Sequence, residues 1–466
     1  MTTTTASAEP GYRVLNPATG EVVETFPTAT DADVEAALSS ATAAYQSWKD
    51  LPIEDRGKVV LRAAELFTER ADELAQIITT EMGKPLSQAK AEAEFASDIF
   101  RYFATEGPTL AADQEIKTFS GGRAVVQKLP IGPLLGIMPW NYPYYQVARF
   151  AAPNLMLGNT IILKHAENCP RSALAIEQLL ADAGVPEGAY ANLFASHAQI
   201  ATIIADPRIQ GVSLTGSERA GAIIGELAGK NLKKAVLELG GSDPFVVLDA
   251  DDPKALADTA WDTRMENTGQ ACNSNKRMIV TEGIFEDFVA QLTSRAQNLT
   301  PGDPSKDDDG TYAPLSSRAA AETIAEQVRD AVAKGATLHA GGELAEGDAA
   351  YFSPAVLTGV TPEMRAYREE LFGPVAVVYK VSDEEEALRL ANDTPYGLGG
   401  SVFSTDTDRA ARVAQRLEVG MANVNIPAGE GAEIPFGGVK RSGFGRELGP
   451  LGMDEFVNKR LFYVAE

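Results

Sequence analysis

The stretch LLGIMPWNYPYYQVARFAAPNLMLGNTIIL, residues 134–163, decides the fold class. Short apolar runs stand at both ends of it, 134–138 and 160–163, and each run is followed by a loop and a helical stretch. Such runs are typical of parallel strands buried on both faces when they alternate with helices. The alternation continues through further apolar runs at 211–214, 236–237, 245–248, 278–280 and 374–378. We therefore predict an α/β fold built on parallel sheets.

The flanking regions have different patterns. Residues 31–105 carry apolar side chains at three-and-four spacing with charged residues in the gaps, which indicates helices. Pro52 and the Gly-Lys-Pro turn at 83–85 interrupt this region, so we predict several helices rather than one. Residues 123–129 alternate loosely between a glycine pair and a proline, and we predict a hairpin strand there.

Composition places the chain among globular proteins. It has 466 residues, of which 44% are apolar and 23% charged. At roughly 150 residues per domain this length predicts about three structural units. The net charge is −24, and so acidic a surface repels phosphate backbones and anionic lipid. We therefore expect neither nucleic acid nor membrane surfaces as partners.

Cysteine and histidine usage points to a reducing compartment and to no metal site. The cysteines are Cys169 and Cys272, too few for a disulfide framework, and the three histidines lack paired zinc spacing. Residues 1–10 have no basic start and no apolar stretch, so we do not expect a signal peptide. No apolar run approaches the roughly 18 residues of a transmembrane helix. A cytoplasmic location is predicted.

The usual nucleotide-binding fingerprints are missing, but residues 214–221, LTGSERAG, offer a substitute. Here a strand runs into a Gly-Ser turn and then a helix, with Thr215 and Glu218 at the spacing of a capping box. Unpaired N–H groups at such a helix start suit a pyrophosphate. A plain capped helix explains the same pattern.

Four other segments carry residues able to do chemistry. Residues 267–273, NTGQACN, place Cys272 ahead of a strand, where an electropositive niche or helix N-terminus would be needed to raise its thiolate fraction. A buried structural cysteine is the alternative, and Cys169 is expected to be one. Glu238 ends an apolar strand at a glycine pair, and Asn141 lies in the rigid aromatic segment PWNYP. The last segment is EELFGP at 369–374.

These five segments, in this order, resemble the aldehyde dehydrogenase superfamily. The resemblance extends from NPATG at 16–20 and EMGK at 81–84 to PFGG at 435–438 and SGFGRE at 442–447, nearly the whole chain. Residues 137–143, 164–166 and 238–244 are most similar to bacterial NAD(P)-dependent succinate-semialdehyde dehydrogenases.

The resemblance implies a covalent mechanism. Cys272 would attack the aldehyde carbon, and Asn141 with the Cys272 N–H would hold the oxyanion. Hydride transfer would leave a thioester, which water activated by Glu238 would hydrolyse. The cofactor would be NAD, with NADP as the alternative, held by residues that the family pattern supplies: Trp140, Lys164, Glu167, Gly216, Ser217, Gly221, Glu370 and Phe372.

Glu167 bears on cofactor choice. It falls where the family often keeps a carboxylate for the adenosine ribose 2′-hydroxyl, and a carboxylate there repels a 2′-phosphate. We therefore predict that NAD is preferred over NADP. The alternative is an exposed glutamate at a helix start with no cofactor contact.

The implied substrate is succinate semialdehyde, oxidised to succinate. Arg149 lies where these enzymes place an arginine for the distal carboxylate, although it could also bind a helix end or a neighbouring carboxylate. Two positions depart from the pattern: a second arginine is Glu266 here, with Arg264 two positions earlier, and a serine is Gly431. Another small aliphatic or aromatic aldehyde is the alternative substrate.

The resemblance also implies the architecture. Residues 1–112 and 131–240 would form an atypical Rossmann-like cofactor domain, and 241–440 an α/β catalytic domain. Residues 113–130 and 441–466 would form a small β oligomerisation arm, whose exposed edges imply a homodimer or homotetramer.

Two other classes of protein remain open on the residues alone. One is a cofactor-independent cysteine hydrolase or acyltransferase that uses Cys272 with Glu238. The other is a non-catalytic protein that retains the fold.

Overall fold

A computed structural model describes residues 11–119 and 121–465, and the expectation about a signal peptide at 1–10 lies outside them. The helices are α1 (Asp31–Trp48), α2 (Ile53–Glu69), α3 (Ala71–Met82), α4 (Leu86–Leu110), α5 (Tyr145–Leu157), α6 (Pro170–Asp182), α7 (His197–Ala205), α8 (Glu218–Lys230), α9 (Pro253–Met265), α10 (Glu282–Gln297), α11 (Arg318–Ala333), α12 (Arg365–Arg368), α13 (Glu384–Asn392), α14 (Thr407–Ala414) and α15 (Gly449–Gly452). None of the helices in these two ranges combines the length and apolar composition that crossing a membrane requires.

The strands of the same ranges are β1 (Tyr12–Asn16), β2 (Glu21–Phe26), β3 (Gln114–Ile116), β4 (Arg123–Pro130), β5 (Pro133–Met138), β6 (Thr160–His165), β7 (Tyr190–Asn192), β8 (Gly211–Thr215), β9 (Lys234–Glu238), β10 (Pro244–Val247), β11 (Arg277–Thr281), β12 (Thr300–Pro301), β13 (Thr311–Tyr312), β14 (Thr337–Ala340), β15 (Ala355–Thr358), β16 (Val375–Val381), β17 (Gly399–Phe403), β18 (Met421–Val424), β19 (Gly443–Phe444) and β20 (Val457–Val464). The α/β fold class predicted from the apolar runs is confirmed by this alternation.

Two mainly parallel sheets form the body of the molecule. The first has the order β19-β9-β8-β5-β6-β7 and is parallel except for β19. The second has the order β14-β15-β16-β11-β10-β17-β18 and is parallel except for β14. Neighbouring residues of one strand enter different apolar clusters: Leu134 packs on one face of the first sheet and Leu135 on the other. Helices therefore cover both faces, as the unbroken apolar runs predict.

A third sheet, with the order β20-β4-β3, is antiparallel. Its outer strand β20 exposes apolar side chains, including Leu461 and Phe462, which are 62% and 49% exposed. The predicted domain boundaries stay a prediction, and one strand crosses them. Gly443–Phe444 falls in the predicted arm but pairs with β9 of the first sheet.

Buried carboxylates of the helical region fix where two helices begin. Glu81 accepts hydrogen bonds from the N–H and the hydroxyl of Ser172 at the start of α6. Glu92 pairs with the buried Lys84 and accepts the Tyr144 N–H (2.8 Å) just before α5. A carboxylate is favourable at a helix N-terminus because free N–H groups and the helix dipole point towards it. These contacts set the position of α5 and α6 on the first sheet.

Candidate active site

The predicted site residues follow the carboxyl ends of neighbouring parallel strands in the first sheet. Asn141 follows β5, Lys164 lies near the end of β6, Ser217 follows β8 and Glu238 ends β9. Ligand sites of open parallel sheets form at this edge. After β9 the chain crosses through Gly240 to the second sheet, so the edge of one sheet faces the other.

Cys272 lies in the loop between α9 and β11. The loop starts with a 3-10 turn in which Asn267 and Thr268 have φ angles of 47° and 55°. Non-glycine residues adopt this left-handed backbone at a cost and cluster at functional sites, where the surroundings hold them in place. Here the Asn267 amide donates to the main-chain oxygen of Asn141 (2.9 Å). The strained turn is therefore tied to the segment that carries Asn141.

Arg264 fastens this loop to the 369–374 segment. Its fully buried guanidinium donates to the main-chain oxygens of Gly269 (3.1 Å) and Gly373 (2.6 Å), and to those of Leu371 and Val375. Burial lowers the pKa of Arg264 to about 9. With its donors used in this way, Arg264 holds two segments together and does not line the cavity beside Cys272.

The Cys272 side chain is half-buried and lines a cavity of about 580 Å³. Burial raises the pKa of its thiol to about 11, against the opposing charges of Arg149 and Lys276. The cationic surroundings that a reactive thiol needs are therefore present, but burial outweighs them. Burial therefore disfavours the thiolate form of Cys272.

Asn141 is held close to the Cys272 loop by both ends of its amide. Its Nδ2 donates to the main-chain oxygen of Gln270 (3.0 Å), two residues before Cys272. Its Oδ1 accepts from Gln146 Nε2 (2.9 Å), which fixes which end of the amide is the nitrogen. An amide NH₂ has two protons, so the second is available to an acceptor beside Cys272.

Glu238 is 2% exposed, and neither carboxylate oxygen has a hydrogen-bond partner among the described residues. Burial raises its pKa well above the usual range; Arg149 opposes this shift and the carboxylate of Glu447 adds to it. The negative charge of Glu238 adds to the raised pKa of Cys272. A Cβ at Gly437 would lie 2.6 Å from Glu238 Oε1, so that glycine leaves the space that the carboxylate fills.

Arg149 has different partners from those that a substrate role predicts. It is 1% exposed and its Nε forms an ion pair with Glu447, while Nη2 donates to Thr215 Oγ1 (3.2 Å). Its guanidinium lies 5.0 Å and 4.6 Å from the ring centres of Tyr145 and Phe436, which line the cavity in front of it. The alternative of a neighbouring carboxylate is therefore what the structure shows, and a contact with substrate stays a prediction.

The cavity beside Cys272 is lined by aromatic rings and carboxyl groups. No lysine or arginine side chain lines it in the described part of the chain, although four acids do: Glu92, Asp243, Glu266 and Glu430. Burial raises the pKa of Asp243 to about 7 and raises the pKa of Glu92 and Glu430. Burial therefore opposes ionisation of these three acids.

The candidates from the 369–374 segment lie close to Cys272. Glu370 Oε1 accepts from the Gly241 N–H (3.0 Å), and a Cβ on Gly241 would lie 2.4 Å from the Cys272 main-chain oxygen. The Phe372 ring meets the Trp140 ring edge to face, with 5.7 Å between centres. Trp140, Glu370 and Phe372 are therefore brought together from distant parts of the chain.

Lys164 and Glu167 form a close ion pair at the other end of this region. Burial would raise the pKa of Glu167, but the Lys164 ammonium lowers it below its usual range. His197 Nε2 lies 3.7 Å from the same carboxylate. Glu167 also lines a cavity of about 630 Å³ together with Trp140, which places it on a surface that a ligand can reach.

The turn at 214–221 differs in detail from its prediction. Ser217, not Thr215, is the N-cap of α8, and its Oγ accepts from the Ala220 N–H (3.3 Å). The Thr215–Glu218 capping box is wrong because Thr215 still belongs to β8. Gly216 donates its N–H to the Glu238 main-chain oxygen (2.9 Å), and a Cβ on Gly221 would meet Leu239 at 2.5 Å. These two glycines allow β9 and α8 to pack closely. Their contacts with a cofactor stay a prediction.

The sequence analysis did not point to the buried charged residues Lys276 and Glu447. It also did not predict that Arg264 holds two segments together. Lys276 follows Cys272 by four residues and precedes a buried strand. The ammonium of a lysine so placed has little room to reach water. That spacing was the available signal. Glu447 gave none, because its partner Arg149 is far away along the chain.

Known proteins are similar to this chain over nearly its whole length. A profile described as the aldehyde dehydrogenase family matches residues 3–461. The chain is 54% identical to a succinate-semialdehyde dehydrogenase [NADP(+)] of Deinococcus radiodurans, over 98% of this chain and 96% of that one. It is 42% identical to a succinate semialdehyde dehydrogenase [NAD(P)+] of Escherichia coli, over 95% and 96%.

Solved structures are also similar. A succinic semialdehyde dehydrogenase from Streptococcus pyogenes, in complex with NADP⁺, has a TM-score of 0.94 and 41% identity. The match covers 98% of this chain and 100% of that one.

Proposed function

This chain belongs to the aldehyde dehydrogenase family of oxidoreductases, and we propose that it oxidises succinate semialdehyde to succinate with NAD(P)⁺ as the hydride acceptor. The observation that carries the proposal is the Asn141 amide, which donates to the main chain of Gln270, two residues before the cavity-lining Cys272. The buried Glu238 carboxylate, whose oxygens have no hydrogen-bond partner among the described residues, supports it. The 54% identity to a succinate-semialdehyde dehydrogenase supports the choice of substrate.

The residues suggest a complete reaction. Cys272 would lose its thiol proton to solvent and attack the aldehyde carbon as the thiolate, and the oxygen that becomes negative would accept hydrogen bonds from Asn141 Nδ2 and the Cys272 N–H. A bound NAD(P)⁺ would supply the hydride acceptor for this carbon. The product is a thioester on Cys272. Glu238 takes a proton from water, which attacks the thioester carbon and releases the acid and the thiolate.

The residues present fit a dinucleotide at three places. The N-terminus of the 13-residue helix α8, capped by Ser217, suits a pyrophosphate. Lys164 and Glu167 suit ribose hydroxyls at one end, and Glu370 with Phe372 suits the nicotinamide ribose near Cys272. Gly240 belongs to the same cradle, since a Cβ there would lie 2.4 Å from Glu370 Oε2.

Cofactor preference rests on one carboxylate. Glu167 repels a 2′-phosphate, so we propose a preference for NAD. Two observations work against it: Lys164 neutralises this carboxylate, and the Deinococcus relative carries NADP(+) in its name. The balance between the charges of Glu167 and Lys164 therefore sets the ratio of kcat/KM for NADP to that for NAD. Steady-state kinetics with both cofactors measure this ratio.

A second candidate substrate follows from the cavity. Its described lining has four carboxyl groups and no lysine or arginine, which favours an uncharged aldehyde over an anionic one. Parallel initial rates with succinate semialdehyde, glutarate semialdehyde and an uncharged aldehyde, followed by the absorbance of reduced nicotinamide, distinguish the two. We expect the highest kcat/KM for succinate semialdehyde, and a higher value for the uncharged aldehyde would refute the proposed substrate.

We also propose a homodimer or homotetramer assembled through the exposed strand β20. Its apolar side chains and free edge are a liability unless a second copy covers them. Light scattering of the purified chain tests this, and a monomer would contradict it. A cytoplasmic location fits the two unpaired cysteines.

A further inference from the structure

Lys276 is buried next to the main chain of Cys272, the proposed nucleophile. The residue is 1% exposed. Its Nζ donates to the main-chain oxygens of Ala271 (2.7 Å) and Cys272 (2.8 Å). A buried ammonium is costly unless partners surround it, so two carbonyls alone are a poor setting for this charge.

The third partner comes from the other side of the site. Glu370 Oε1 lies 3.1 Å from Lys276 Nζ and also accepts the Gly241 N–H (3.0 Å). The Phe372 ring centre lies 5.8 Å from the same ammonium, within reach of a cation–π contact. One side chain thus touches the loop of the proposed nucleophile and the segment proposed to hold the nicotinamide ribose.

We propose that Lys276 is a positioning residue that locks the Cys272 main chain to Glu370 and whose charge favours the Cys272 thiolate. This inference rests on the proposed function, since it gives Cys272 and Glu370 the roles stated there. Lys276 itself touches neither the sulfur nor a reacting atom, and it acts through the peptide group of Cys272 and the carboxylate of Glu370.

The charges facing Cys272 come from four groups. Arg149 and Lys276 lower the pKa of the thiol, whereas Glu370 and Glu238 raise it. Arg149 is compensated by Glu447 and Lys276 by Glu370, so each cation acts as half of a pair. Changing one partner of the Lys276–Glu370 pair therefore moves the thiol pKa in a direction that depends on which charge is lost.

Lys276 also faces Asp243. Asp243 is 5% exposed, its Oδ1 has no hydrogen-bond partner among the described residues, and Lys276 lowers its pKa against the effect of burial. Removing Lys276 would therefore also favour the neutral form of Asp243. A neutral Asp243 has no charge to oppose the thiolate, so it does not reproduce the loss expected for Cys272.

The test is the pH dependence of Cys272 alkylation by iodoacetamide in the full-length chain without aldehyde or cofactor. Alkylation of each cysteine is read by peptide mass spectrometry, with the buried Cys169 as internal reference. A shift of one pKa unit changes the thiolate fraction tenfold below the pKa. We expect Lys276→Met to alkylate about tenfold more slowly at pH 8 and Glu370→Gln about threefold faster.

Opposite effects are the signature of the charge pair, because loose packing would change both variants in one direction. Lys254→Met, which removes an exposed lysine of α9, is the matched control and should alkylate like the wild type. If Lys276→Met fails to fold, Glu370→Gln decides alone. An unchanged profile for Lys276→Met, or no acceleration in Glu370→Gln, would overturn the proposal. Failure to oxidise succinate semialdehyde would leave this alkylation result untouched.

Discussion

The two sides of Cys272 are built differently. On the side proposed for the cofactor, charges come in close pairs, Lys276 with Glu370 and Lys164 with Glu167. On the side proposed for the substrate, the described lining carries carboxyl groups and aromatic rings, and the nearest guanidinium, that of Arg149, lies behind two of those rings. Ion pairs fix geometry, whereas a lining without lysine or arginine leaves the choice of ligand to small differences.

This contrast explains why reaction type is easier to infer than substrate. The groups proposed to make and break bonds are held by short contacts from the chain itself, as with Asn141 between Gln146 and Gln270. Recognition of a distal carboxylate depends on one arginine that already has a partner. The geometry of the groups proposed for bond making therefore tolerates small changes in the surroundings. Recognition of a distal carboxylate does not.

The largest effect is expected from Asn141→Ala, which removes the proposed oxyanion donor. Losing one such donor costs about 3 kcal/mol, so kcat should fall about a hundredfold or more with little change in KM for the aldehyde. Steady-state kinetics measure this. Gln146→Ala is the control, because Gln146 contacts only the Oδ1 of Asn141. Its kcat should fall much less. A mainly KM effect of Asn141→Ala would contradict the assignment.

Glu238→Gln tests the base, with an expected loss of about a hundredfold in steady-state turnover. Burial raises the pKa of Glu238 well above the usual glutamate range, so its ionised form appears as pH rises above that range, and wild-type turnover should increase with pH there. Because the Cys272 pKa is raised as well, the variant should retain a shallower rise from the thiol. Turnover that falls with pH in the wild type would show that the sign is wrong.

Arg149→Ala tests the substrate side. If its charge reaches the substrate, KM for succinate semialdehyde should rise about tenfold while KM for an uncharged aldehyde stays nearly constant. Glu447→Gln is the matched control, since it disturbs the same ion pair but leaves the guanidinium in place. Equal effects of Arg149→Ala on both aldehydes would retire the carboxylate role and leave Arg149 as the partner of Glu447.

The smallest effect is expected at Glu167. Replacing it with glutamine removes the charge that repels a 2′-phosphate and frees Lys164, so the kcat/KM ratio of NADP to NAD should rise about fivefold. His197→Ala, which alters the neighbour of the same carboxylate, should change the ratio less. A wild-type enzyme that already prefers NADP would refute the preference predicted from this residue.

Much of the fold was predictable because the strands are short apolar runs between helices. The run at 278–280 became Arg277–Thr281. The helical region at 31–105 became four helices, with the two predicted breaks at Pro52 and at 83–85 and a third, unpredicted break at Arg70. Strand Gly399–Phe403 was not predictable, since its glycines and serine have low strand propensity and only burial between neighbouring strands explains it.

Within the site, motif residues were predictable and their supports were not. Local patterns of glycine, amide and aromatic residues indicate Cys272, Glu238 and Asn141 as candidates. The Arg149–Glu447 pair and the Lys276–Glu370 pair join segments far apart in the chain, and a single sequence contains no record of such contacts. The raised pKa of Cys272 was also beyond the sequence, because it depends on burial that packing alone decides.

The most direct test of the account is to trap the acyl group on Cys272. Glu238→Gln is mixed with succinate semialdehyde and NAD(P)⁺, quenched in acid and analysed by peptide mass spectrometry, with Cys169 as internal reference. The account predicts a succinyl group on the Cys272 peptide, in an amount matching the first turnover of reduced cofactor. Reduced cofactor without an adduct on Cys272, or an adduct on Cys169 instead, would contradict it.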